Sequence, residues 1–180
     1  MSTSNGDTHS SEVLPLSRGP LRLNLAQDPG RNRLDGAWWP QSRDLGVELA
    51  DLVDNFPSSA GRIVRARLSP PDWDAAPHEV AVAGGYVQVG SLSRDDSHMI
   101  HLMLSDLTVV SVLVVPPGFT DGQGAEALLA AAAAGNSHSA ADLLEEVTNS
   151  PDADPRDRWT DHGDSWWGAS AVPPSFRTGQ

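Results

Sequence analysis

The sequence has no cysteine and no lysine. Without cysteine there is no disulfide, no thiolate nucleophile and no Cys-ligated zinc or iron–sulfur site. Without lysine there is no side-chain Schiff base and no phosphate-loop lysine. All 12 basic residues are arginine, set against 24 acidic ones, for a net charge of −12 over 180 residues. The codon usage of a GC-rich genome accounts for this skew and for the abundant Ala, Gly, Asp and Pro. Chemistry in this chain falls to Arg, His, Asp, Glu, Ser, Thr or Tyr.

Long apolar runs are also lacking. None approaches the ~20 residues needed to span a bilayer. Met1 to Ser11 is polar, without the basic start and apolar run of a targeting segment. The expected location is the cytoplasm, with no membrane partner. The acidic balance argues against nucleic acid, whose binding gains from Lys and Arg displacing counterions. The hydrophobic share is 39%, diluted by two polar ends, and suffices for one core in a chain of this length.

Residues 1–17 read as a disordered tail, 18–149 as a single domain and 150–180 as a disordered acidic tail. Within the domain, Leu21, Leu23 and Leu25 alternate as in a half-buried strand. Ser42 is the expected N-cap of a first helix with Leu45, Leu49, Leu52, Val53 and Phe56 on its buried stripe, ended by Pro57. Val64, Ala66 and Leu68 face one way in a strand, Arg65 and Arg67 the other. Two alternating Val pairs around Gly84-Gly85 predict a hairpin. Ile100–Leu104 and Thr108–Val115 are further strands, the second apolar on both sides and so central. Thr120-x-x-Gln123 resembles a capping box, and Gly135 a helix stop. Ser139–Val147 predicts a last helix. The order β-α-β-β-β-β-β-α-α implies an α+β fold. Its sheet is antiparallel, of about six strands, with the option of curling as in helix-grip folds. One helix follows the first strand and two close the domain.

The densest segment runs from Asp35 through Trp38, Trp39 and Arg43 to Asp44. Two indoles and a guanidinium next to a helix start could hold a small acidic or aromatic ligand. The commoner arrangement is structural: the rings plug the sheet and Arg43 pairs with a carboxylate, since buried Trp is usually packing. Trp73 is a further candidate for this site. Arg62, Arg65 and Arg67 form a basic cluster, expected to pair with acidic neighbours across a solvated face. Asp44, Glu48 and Asp51 read as a solvated acidic stripe. The histidines His98 and His101 fall on opposite strand faces, so no metal and no cofactor is expected. Trp159, Trp166 and Trp167 stand in a polar tail. They suit a short segment that docks on a partner or folds back over its own domain.

Leu34-Asp35-Gly36-Ala37-Trp38-Trp39-Pro40, then Ser42-Arg43-Asp44-Leu45, Gly61-Arg62-Ile63, Trp73-Asp74 and Val114-Val115-Pro116-Pro117, resemble an uncharacterised actinobacterial domain family of unknown function. The resemblance spans about residues 18–149. It implies an actinobacterial source and a shared fold, and no activity. The missing catalytic motifs and the aromatics outside the core point to a non-enzymatic binding or protein-interaction module. The alternative is a small-molecule-binding protein or small enzyme with a pocket near Trp38, Trp39 and Arg43.

Overall fold

The computed structural model describes residues 18–93 and 96–149. The expectations for the two tails, including those for Trp159, Trp166 and Trp167, lie outside the described residues.

Strand β1 (Leu23–Leu25) runs antiparallel to β2 (Gly36–Trp38), a short buried strand. Helix α1 (Leu45–Asp54) follows, then β3 (Ile63–Leu68), β4 (Glu79–Val82), β5 (Gly85–Ser91), β6 (Met99–Leu104) and β7 (Val109–Val114). Helices α2 (Asp121–Ala131) and α3 (Ala140–Asn149) end the described chain. The strands form one open sheet in the order β1-β2-β7-β6-β3-β5-β4. The α+β class is as expected. The sheet has seven strands rather than about six, and it is mixed, because β2 lies parallel to β7 and β3 parallel to β5. β4 takes the edge and folds back antiparallel to β5, which inserts beside β3. β2 is only three residues long and shows no alternation, since all three are buried. Gly36 (φ 153°) is required there, because a Cβ would collide with the β1 backbone at Asn24 and Leu25.

The layers follow from residue period. In β7, Val110, Val112 and Val114 join α1 (Leu45, Leu49, Leu52) in one buried cluster. Leu113 and Val115 join α2 and α3 (Ala127, Ala130, Leu143, Val147) in a second cluster on the opposite face. A fully buried Leu or Val is worth roughly 1.5–3 kcal/mol, so the doubly apolar β7 is the spine of the domain. The capping box of α2 forms, with Thr120 and Gln123 satisfying each other's backbone. Gly135 (φ 73°) is not the helix stop expected of it: α2 ends earlier, at Ala131, with Ala132 as its C-cap.

Four further local expectations need correction. The N-cap of α1 is Asp44, whose Oδ1 accepts from Val47 N (3.3 Å). Ser42 instead donates to Glu48. Glu48 is not part of a solvated stripe: it is buried and anchors the chain before α1, taking Arg18, the Ser42 hydroxyl and the Gln41 amide. A register shift between Ile63 and Arg65 puts Ile63 inside and leaves Val64 exposed. The hairpin turn is Ala83-Gly84, since Val82 pairs with Gly85. Among the described residues no helix is long and apolar enough to cross a membrane.

Candidate functional site

A cavity of about 310 Å³ opens where four separate segments meet. Pro40, Ser42 and Arg43 come from the stretch before α1, and Pro71, Asp72 and Trp73 from the turn after β3. Ser97 and His98 precede β6, and Val114, Pro116 and Pro117 follow from the end of β7. Backbone bonds stitch these pieces together: Asp74 N donates to Arg43 O (3.1 Å) and Val114 N to His98 O (2.8 Å). The four prolines give the cavity stiff walls, since their φ is fixed.

Asp72 and His98 form its best-defined polar pair. The His98 amide donates to Asp72 Oδ2 (2.8 Å), and Nδ1 of the ring lies 3.3 Å from Oδ1. Asp72 is mostly buried while the imidazole is partly open to solvent. A carboxylate only accepts, so the close approach calls for a proton on Nδ1 and orients the ring. His98 has φ 60°, a left-handed conformation costing about 1–2 kcal/mol for a residue with a Cβ. Such strain persists where surrounding bonds enforce it, and here Asp72 and Val114 hold the His98 backbone.

The Arg43 guanidinium donates through Nε to Asp74 Oδ1 (3.0 Å) and through Nη2 to Pro71 O (3.0 Å). It carries five N–H donors, so these two bonds orient it and leave others for a ligand. Its pair with Asp74 is largely exposed and contributes little to stability.

Of the five residues singled out in the sequence for a ligand site, Arg43 and Trp73 line this cavity. Trp38 does not line it but stacks behind Trp73, with centroids 5.4 Å apart. Trp39 points to the other face of the sheet, where Gly124 of α2 lies against its ring. There the Arg22 guanidinium sits 3.6 Å above the indole and donates to Trp39 O and Pro40 O. Burial lowers the pKa of Arg22, opposed by the charges of Glu48 and Asp121. Asp35 is buried elsewhere as a backbone clamp: its carboxylate accepts from Gly30, Asn32 and Ser111 N–H groups. Asp72 and His98 were missed. Nothing in the local sequence marks them, because their partnership joins two loops. The Nε1 atoms of Trp39 and Trp73 are buried without a hydrogen-bond partner among the described residues.

A larger depression, about 550 Å³, is lined by Leu25, Pro29, Pro57, Leu104, Asp106 and Thr108 among others. Asp106 is its only charged side chain and it holds no aromatic ring, so its chemistry is poorer. Among the described residues no three His, Asp or Glu side chains converge as a metal site.

Fold and cavity together define an α+β domain on an open mixed sheet with a small polar pocket at a loop junction. The chain belongs to DUF5994, a family of unknown function, whose model matches residues 22–132. No curated protein and no solved structure matches it.

Proposed function

We propose that this protein is a binding module that takes a small organic acid in the cavity framed by Arg43, Trp73 and His98. One observation carries the reading: distant segments converge there to set a guanidinium and a carboxylate-held imidazole beside an indole. Arg43 suits a carboxylate, since its planar fork matches two oxygens. The His98 imidazole beside Asp72 adds a second polar group next to the guanidinium, which suits an acid that also bears a hydroxyl or amine. Trp73 and the proline walls suit an apolar body. A volume of about 310 Å³ falls at the small end of ligand pockets, roughly 300–1,000 Å³.

A panel of hydroxy acids, amino acids and simple carboxylates, scanned by thermal shift and Trp emission, tests this. A raised Tm with one class, lost in Arg43→Ala, is expected. A folded protein that responds to nothing in the panel up to millimolar concentration rejects it.

A further inference from the structure

The second face of the sheet is covered over only half its width. On that face β1, β2 and β7 present Asn24, Ala37 and Leu113, and α2 and α3 pack there. Beyond β7 the same face continues through Met99, His101 and Met103 of β6 and Arg65 and Arg67 of β3. It ends with Tyr86 and Gln88 of β5 and Glu79 and Ala81 of β4. No helix among the described residues lies over this half: Tyr86 is 69% exposed, and Arg65 and Arg67 are exposed.

The charge pattern there is unusual for so acidic a chain. Among the described residues Arg65 bonds the Gln88 side chain (2.8 Å) and Arg67 the Ser91 carbonyl (3.3 Å). Neither has a carboxylate at ion-pair distance among the described residues. The cross-strand pairing with acidic neighbours expected from the sequence is therefore not made among the described residues. Glu79 lies at the far edge, opposite Gln88. Beside the two arginines stand two of the three methionines, Met99 and Met103, both half-buried.

We propose that residues 150–180 of this chain fold back onto this open half, with aspartates on Arg65 and Arg67 and indoles over Met99 and Met103. Four facts select this occupant. The segment starts where α3 ends, and α3 packs through Val147 into the cluster that Met99 joins, next to the open strands. Its 31 residues reach up to ~100 Å extended, whereas four strands at ~4.8 Å spacing span only about 15 Å. Its first half is complementary in charge: Asp152, Asp154, Asp157, Asp161 and Asp164 against Arg156 and Arg158. Trp159, Trp166 and Trp167 supply aromatic area and Met sulfur favours aromatic contact. A second copy is the weaker candidate, since each chain carries −12 and like net charge opposes association. Attachment in cis instead gives a high effective concentration, so modest contacts suffice.

The methionines make the test direct. Methyl-labelled full-length protein gives three Met signals: Met1, Met99 and Met103. Because the chain has no cysteine, Ser170→Cys offers a unique site for a spin label. The label should broaden Met99 and Met103 at every protein concentration, and high salt or Arg65→Gln with Arg67→Gln should remove the effect. Trp166→Ala with Trp167→Ala should shift the same two methyls. Unbroadened signals at low salt in the wild-type background overturn the proposal. So does broadening that vanishes when labelled protein is diluted with unlabelled, which identifies a second copy. Broadening with methyl shifts indifferent to the Trp substitutions overturns the aromatic contact.

Discussion

Trp38 of β2 and Trp73 of the turn after β3 stack with 28° between their planes. Both are buried, so the pair ties the β2 side of the sheet to the loop that lines the cavity. Trp38→Ala removes the support beneath Trp73 and opens a void, at a cost of about 3–5 kcal/mol. Urea unfolding should report that loss. The ligand response proposed above should fall with it, because Trp73 would lose its fixed orientation. Trp73→Phe keeps most of the stacked area and should cost less than Trp38→Ala. Equal losses would mean that the two rings act separately.

Gly124 and Gly122 of α2 make a controlled comparison. A methyl at 124 would run into the Trp39 ring, whereas at 122 it would meet nothing within 4 Å. Gly122→Ala should stabilise by up to about 1 kcal/mol, the helix-propensity difference. Gly124→Ala has the same propensity gain but must displace an indole held by Arg22. A net loss of about 1–3 kcal/mol is expected, as for overpacked cores. Similar thermal shifts for both variants would show that Trp39 moves aside freely.

What could be read from the sequence was what repeats along it. The α1 stripe, the doubly apolar β7 and the Thr120–Gln123 capping box all rest on local period or local chemistry, and all are present. β2 was not legible, because three buried residues carry no period. Parallel pairing of β3 with β5 was not legible either, since strand order depends on which hairpin takes the edge. The site divides the same way. Arg43 and Trp73 stood out by residue type. Asp72 and His98 did not, since their meeting depends on two loops and on a backbone angle that no residue type announces.

Asp35 looks like a ligand contact by residue type and acts as a clamp by geometry. Its oxygens take Gly30 N and Asn32 N on one side and Ser111 N on the other, binding the β1–β2 turn to β7. Asp35→Ala leaves three part-buried N–H donors without their acceptor and should cost roughly 2–4 kcal/mol, at about 1 kcal/mol for each, the low end for an unmade hydrogen bond. Asp35→Asn keeps one carbonyl oxygen and should cost less. The ligand response of the cavity should survive in the Asn variant. Unchanged stability in Asp35→Ala would sink the clamp and return Asp35 to the list of binding residues.

His101 sits mid-strand on the half-open face, and its pKa is lowered from 6.5. Burial is the main cause; Asp96 opposes it, Arg67 adds to it and Asp35 opposes it. The sign follows from linkage. Above about pH 6.5 the ring is neutral in both folded and unfolded chains and contributes no pH dependence. As pH falls below that value the unfolded chain takes up a proton first, so the folded state loses relative stability. The loss stops growing only below the folded pKa, where both states are charged. His101→Gln removes the group and should flatten this part of the profile. The check is the difference in urea midpoint between wild type and variant, measured from about pH 7.5 to pH 5. The other five histidines largely cancel in that difference. Wild type should fall away from the variant on acidification. Parallel profiles would mean that the ring is solvated well enough to titrate as it does in the unfolded chain.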